Sequence, residues 1–352
     1  MTALREIIAQ QISATGPITV AEYMSLCLLH PDHGYYTSRD PFGAQGDFIT
    51  APEISQMFGE LVGLALAQVW LDQGSPTSFT LAELGPGRGT LMTDILRATQ
   101  IVPGFHTAAQ IVLVEASSHL RAMQAKVVPT ATFIHRAADL PDQFTLLVAN
   151  EFFDALPIRQ FVRASNTWRE RVVGLRGTEL TMGLSDTMSP AFLDGRAMEI
   201  QDGQLTEYCP SLPKVIADLA LPIGQHGGAA LIFDYGDWGS LGDTLQAVRQ
   251  HQKTDPLDHP GKCDLTAHVD FEQIATSSKA ILHTRLTPQG LFLERLGITD
   301  RARALSKTLS GPLLDQHIAA HRRLTHPDEM GTLFKVIGLL PQDAPALPGL
   351  IT

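Results

Sequence analysis

Apolar residues recur along this chain in two rhythms. Near the N-terminus the spacing is helical, with Leu4, Ile7, Ile8 and Ile12 on one face. "ITVAEYMSLCLLH" predicts a second helix, opened by Thr19 and Glu22 at the spacing of a capping box. A turn-rich stretch, "HPDHGYYTSRDPFGAQGDF", follows. "ITAPEISQMFGELVGLALAQVW" then predicts one long helix, buried through Ile54, Met57, Phe58, Leu61, Ala65 and Val69, with Thr50 and Glu53 fitting another capping box. From residue 79 the apolar stretches become short runs: "FTLAELG", "QIVLVEA" (110–116), "ATFIHR" (131–136), "FTLLVANEF" (144–152) and "GGAALIFDYG" (227–236). "AILHTRLT" (280–287) and "GTLFKVIGLL" (331–340) extend the series. Strands alternating with helices at this pitch predict an α/β fold around a mostly parallel sheet.

Two segments interrupt that alternation. "PIRQFVRASNTWRERVVGLRG" alternates polar with apolar and turns at Ser165–Asn166, which predicts an inserted hairpin. Residues 237–269 are polar and rich in Gly, Asp, His and Pro, and read as a long loop or lid. The organisation expected is an N-terminal helical extension over 1–75 and a sheet core over 76–352, with insertions at about 157–215 and 237–269.

Charge and cysteine usage narrow the function classes. A net charge of −11 over 352 residues offers no broad grip on phosphate backbones, which argues against nucleic-acid binding. Cys27, Cys209 and Cys263 are far apart and form no C-x-x-C pair, as expected of a reducing compartment. No apolar run is long enough to span a membrane. "MTALREIIAQQISA" is neither a signal core nor an Arg-rich transit peptide, so a bacterial cytoplasmic location is expected. His251, His259, Cys263 and His268 match no zinc spacing, and no metal is expected.

"LAELGPGRGT" (81–90) carries the chemistry. It sits where a buried strand hands over to a helix, and a helix starting there turns its unpaired N–H groups into the crevice. Gly85, Gly87 and Gly89 keep side chains away and permit positive φ, while Pro86 stiffens the turn. Glu115 ends the next strand, where a carboxylate can accept both hydroxyls of an adenosine ribose. A dinucleotide and S-adenosylmethionine both suit such a unit. The surrounding acids favour the cationic one: Glu83 within the strand, Asp139 after the third strand to accept from the adenine amino group, and Asn150, Glu151 and Asp154 after the fourth. The glycine spacing also departs from the G-x-G-x-x-G that an NAD(P)-dependent oxidoreductase needs. Asp234 and Tyr235, ending the fifth strand, are further candidates to line the crevice.

These residues resemble the MidA-like methyltransferases. "GDFITAPEISQMFGEL", "ELGPGRGTLM", "ANEFFDALPIRQF", "IFDYG", "GDTLQAV", "DLTAHVDF" and "MGTLFKV" follow one another as family blocks over about 20–340. The resemblance implies a seven-stranded, Rossmann-like class I methyltransferase fold binding S-adenosyl-L-methionine. It implies cofactor contacts from Gly85, Pro86, Gly87, Gly89, Glu115 and Asn150, and a covering loop in "GDFITAP" with Asp47, Phe48 and Thr50 nearest. It implies a protein substrate, an arginine on the quinone-site subunit of respiratory complex I, and so a part in complex I assembly. One departure is Gln250, which stands where the family pattern leads one to expect a glycine before the histidine.

For that substrate the expected catalytic group is Glu151 and Asp154 holding the guanidinium, with Asn150 assisting through its carbonyl. Carboxylates can localise charge on the far nitrogens and leave one nitrogen to attack. The structural alternative is that one carboxylate only caps the turn before "LPIRQF". The functional alternative is an assembly chaperone that binds S-adenosylmethionine without catalysis.

Overall fold

The computed structural model describes residues 2–38, 49–196, 199–239, 241–277 and 279–351. These divide into two units, one drawn from 1–48, 154–212 and 239–270, the other from 49–153, 213–238 and 271–352. Residues 49–75 thus go with the sheet, although the sequence places them in the N-terminal extension. The segments 154–212 and 239–270 overlap the two insertions expected from the sequence.

In the first unit, the N-terminal periodicity builds α1 (Ala3–Thr15), which buries Leu4, Ile8 and Ile12. Helix α2 (Val20–Leu29) opens with the expected capping box. Glu22 N–H donates to Thr19 Oγ1 at 3.1 Å, and Thr19 N–H donates to Glu22 Oε2 at 2.8 Å. Tyr23, fully buried on α2, donates its hydroxyl to the Pro256 carbonyl at 2.6 Å. The predicted hairpin forms from Arg159–Ala164 and Thr167–Arg176, with Ser165 in the left-handed region at φ 54°. Strands Leu205–Tyr208 and Glu179–Met188 flank it, and Phe161, Trp168, Leu193 and Ile200 form a small core. Arg159 and Glu170 face each other across the hairpin in a bidentate pair, at 2.7 and 2.5 Å.

The polar stretch expected to be a loop holds more order than its composition announces. Gln246–Arg249, Gln252–Thr254 and Asp264–Thr266 form a three-stranded antiparallel sheet. Its tight turn puts Gln250 at φ 52° and His251 at φ 62°. The two-residue turn demands left-handed backbone, which explains why a glycine suits position 250.

In the second unit, the expected long helix is two helices, α3 (Ala51–Ile54) and α4 (Gln56–Asp72). Ser55 breaks them, at φ −159°, and its hydroxyl caps α4 by accepting from Met57 N–H at 3.2 Å. The Thr50–Glu53 capping box does not form. Thr50 makes no side-chain cap, and Glu53 instead accepts from the Thr90 hydroxyl. Helix α4 is buried around most of its circumference, and Gly63 brings it so near the next helix that a Cβ there would lie 2.9 Å from Ile95 Cα. Buried Glu60 ties α4 outward, accepting from Arg97 at 3.2 Å and from Arg301 at 2.8 and 3.1 Å.

The sheet strands, in chain order, are β1 (Phe79–Leu84), β2 (Ala109–Val114), β3 (Thr132–Ile134), β4 (Thr145–Asn150), β5 (Gly228–Asp237), β6 (Leu282–His283) and β7 (Phe334–Leu340). Their spatial order is β6-β7-β5-β4-β1-β2-β3, parallel from β5 through β3, with β7 antiparallel to β5 and to β6. Every residue of β1 and β4 is buried, as expected of parallel strands covered on both faces. Helix α5 (Thr90–Thr99) follows β1, and α6 (Ser118–Val127) follows β2. Strand order reverses between β1 and β4, where the two carboxyl ends leave a crevice.

Thr19→Ala removes the acceptor of the capping box and should lower stability by about 1 kcal/mol. Urea unfolding followed by circular dichroism checks this, with the midpoint expected to fall at unchanged slope.

Candidate active site

Sheet register sets the site. Leu84 of β1 lies beside Val114 of β2 and Ala149 of β4, so one step onward Gly85, Glu115 and Asn150 reach the same level. Gly85 N–H still donates to the Val114 carbonyl at 3.0 Å, after which the chain leaves the sheet. The turn uses the three glycines as expected, at φ 60°, 54° and 82° for Gly85, Gly87 and Gly89. Part of the space they leave is filled by the chain itself. A Cβ at Gly85 would lie 2.9 Å from Phe152 Cδ2, and one at Gly89 would lie 2.9 Å from Val127 Cγ2. Gly89 N–H closes the turn onto the Pro86 carbonyl at 2.7 Å, and α5 begins without a side-chain cap from Gly89.

Glu83 lies under the first turn of α5, where one carboxyl oxygen accepts from Met92 N–H. Its Oε2 is buried and has no partner. Burial pushes this carboxyl up to about 8, only partly offset by that N–H, so near neutral pH it holds a proton. Glu115 is buried at the end of β2, its Oε1 accepting from Ser117 N–H at 2.7 Å and its Oε2 from Gln124 at 3.2 Å. Burial raises its pKa, and these donors counter that rise. Asn150 donates through Nδ2 to Glu151 Oε1 at 3.2 Å, and its Oδ1 is buried without a donor.

Glu151 has φ 52°, a left-handed conformation uncommon for a residue with a side chain. Its N–H continues the ladder to the Phe233 carbonyl at 2.9 Å, and its Oε1 accepts from Ala51 N–H at 3.2 Å. The carboxylate therefore caps α3, the role that the sequence assigned to Thr50 and Glu53. Asp234 is fully buried and also structural, accepting from Phe153 N–H at 2.9 Å and Tyr235 N–H at 3.0 Å.

The remaining sequence candidates are scattered more widely. Asp139 ends a short helical turn, is exposed, and pairs with Arg136 at 2.8 Å, which lowers its pKa. Asp154 belongs to the other unit, where it is buried and its carbonyl accepts from Ala267 N–H at 3.0 Å. Asp47 and Phe48 lie outside the described residues. Among the described residues no cluster of His, Cys, Asp or Glu is arranged to hold a metal ion. Two contributors escaped the sequence reading. Phe152, which packs on Gly85, hid inside an apolar run, whereas Gln124 carried a usable signal as a polar residue one turn after Leu120 on the buried stripe of α6.

The donor and acceptor inventory fits S-adenosyl-L-methionine. Gln124 Oε1 and Asn150 Oδ1 are buried acceptors without partners, beside the ends of β2 and β4, and Glu83 Oε2 near the end of β1 is buried without a partner as well. A ligand bringing an ammonium, a sulfonium and ribose hydroxyls supplies what buried acceptors lack.

Glu83 gives the fold a pH dependence of known sign. Between the ordinary carboxyl value of 4.5 and about 8, the folded chain keeps a proton that the unfolded chain releases, so stability falls as pH rises through that window. Melting temperatures of the ligand-free protein at about pH 5 and about pH 8 should show the wild type losing more stability than Glu83→Gln across this range.

Residues 61–288 match the model of a family of S-adenosyl-L-methionine-dependent methyltransferases. The mitochondrial protein arginine methyltransferase NDUFAF7 homolog of Drosophila melanogaster is 37% identical, over 96% of this chain and 85% of its own length. The Homo sapiens protein arginine methyltransferase NDUFAF7, also mitochondrial, is 35% identical over 97% of this chain and 84% of its own. A Burkholderia thailandensis crystal structure bound to S-adenosyl-homocysteine superposes with TM-score 0.85 at 26% identity, covering 99% of this chain and 94% of that one. The chain belongs to this family and is an S-adenosyl-L-methionine-dependent methyltransferase of class I fold.

Proposed function

We propose that this enzyme methylates a protein arginine, and that the arginine lies on the quinone-site subunit of respiratory complex I, whose assembly the reaction aids. The observation that carries the arginine reading is the acceptor pair ending β4. Asn150 Oδ1 is buried without a donor, next to a Glu151 carboxylate held in left-handed backbone. A guanidinium offers only donors, so acceptors are what it needs. Relatives of 35–37% identity named protein arginine methyltransferases support the same reading over nearly the whole chain. The complex I subunit rests on the family resemblance alone.

When bound, S-adenosyl-L-methionine supplies a methyl carbon activated by the sulfonium. The chain has to orient the nucleophile and draw guanidinium charge away from the attacking nitrogen. In this reading Glu151 holds the guanidinium as a charge-assisted acceptor, and Asn150 adds its carbonyl. Asp154 is the candidate second carboxylate. Thr50, Asp47 and Phe48 remain candidates for covering the cofactor, with Asp139 for its adenine. The setting we infer is the bacterial cytoplasm, where the buried thiols of Cys27, Cys209 and Cys263 stay reduced. Among the described residues no helix is long and apolar enough to cross a membrane.

Glu151→Gln tests this because the amide keeps a carbonyl oxygen for Ala51 N–H and Asn150 Nδ2 while exchanging the second acceptor oxygen and the charge for an NH2 donor. Methyl transfer to the purified subunit should fall about a hundredfold or more, as expected when a charged contact to the reacting group is lost. Affinity for S-adenosylhomocysteine should be retained. Loss of cofactor binding, with transfer falling only in proportion, refutes the substrate role of Glu151. Wild-type binding without any labelled product favours a non-catalytic assembly factor. Asp154→Asn tests the second carboxylate in the same assay.

A further inference from the structure

Gln124 is fully buried on α6, and it sits on an inward stripe that elsewhere carries Leu120. A buried amide must find partners for two N–H groups, and Gln124 divides its two between features that belong to different strands. Nε2 donates to the Gly87 carbonyl in the glycine turn at 2.8 Å. It also donates to Glu115 Oε2 at the end of β2, at 3.2 Å. The opposite amide orientation would set Oε1 against a carbonyl and a carboxylate oxygen, so the partners fix which way the amide faces. Glu115 Oε1 is meanwhile held by Ser117 N–H at 2.7 Å, and Ala116 N–H is a further backbone donor to the carboxylate, which retains lone-pair capacity for a ligand. Gln124 Oε1 is itself buried without a donor.

We infer that Gln124 is a positioning residue for cofactor binding, whose side-chain amide locks the glycine turn and the Glu115 carboxylate into the single arrangement that receives the ribose. The inference rests on the methyltransferase reading and deepens it by naming what holds that subsite in shape. Removing the amide leaves Gly87 and Glu115 as buried acceptors short of a donor, with the carboxylate held only by the backbone N–H groups of Ala116 and Ser117. The larger consequence falls on the ribose hydroxyls, through Glu115, and the loosened Gly87 carbonyl adds a smaller loss shared by both forms of the ligand.

The test is calorimetric titration of the whole chain with S-adenosylhomocysteine and with its 2′,3′-dideoxy counterpart. Gln124→Met keeps length and burial but has no donor. We expect about a tenfold or larger loss of S-adenosylhomocysteine affinity, as for an orphaned buried polar group. Preference for the hydroxylated ligand should largely disappear. Adding Gln124→Met to Glu115→Gln should cost clearly less than Gln124→Met costs alone. Unchanged affinity and preference overturn the inference, as does an equal loss for both ligands that adds to Glu115→Gln. If Gln124→Met does not fold, Gln124→Glu decides: binding that is weak at high pH and recovers as the new carboxyl protonates and can donate supports the role, and binding insensitive to pH overturns it. A wild-type chain that binds no S-adenosylhomocysteine overturns the methyltransferase reading itself, an outcome distinct from failure of the variant alone.

Discussion

The parallel register of β1 with β2 and β4 governs the rest of the site. Three neighbouring strands stop at one level, and each has a different residue to place there: a bare turn after β1, a carboxylate after β2, and an amide followed by a carboxylate after β4. Parallel pairing requires that the strands be buried on both faces, so these polar groups emerge from an apolar sheet directly into the crevice. The buried polar atoms at its edge therefore carry a large desolvation cost unless something satisfies them. The raised pKa values of Glu83 and Glu115 express that cost, since in both the first cause is burial.

How much of this was legible follows from what each element buries. Strands β1, β4 and β5 announced themselves because burial on both faces leaves uninterrupted apolar runs. The hairpin at Ser165 showed its turn and its alternation, and α2 showed its capping box. Short strands within 246–266 did not, because each is only three or four residues long and largely polar, so no periodicity builds up. The expected strand at 280–287 is broken: Leu282–His283 and Thr287 each pair with β7, and no continuous strand joins them.

The break at Ser55 was missed for an instructive reason. Thr50 and Glu53 have the spacing of a cap, but spacing says nothing of competitors far along the chain. Thr90 takes Glu53, and Glu151 takes the amide of Ala51. The same limit hid Gln124, whose two partners sit 37 and 9 residues away. Sequence patterns report what a residue does with its near neighbours. The polar residues of this crevice are committed to distant ones, which is how a site assembled from several strand ends must be built.

Glu151 joins the sheet to the start of α3 through one carboxylate oxygen. Under the reading proposed above, a guanidinium arriving at that carboxylate would compete for the electron density that now steadies the Ala51 amide. The first turn of α3 would then sense whether a target is present, and occupancy at the sheet edge would reach the residues entering that helix without any separate signalling element.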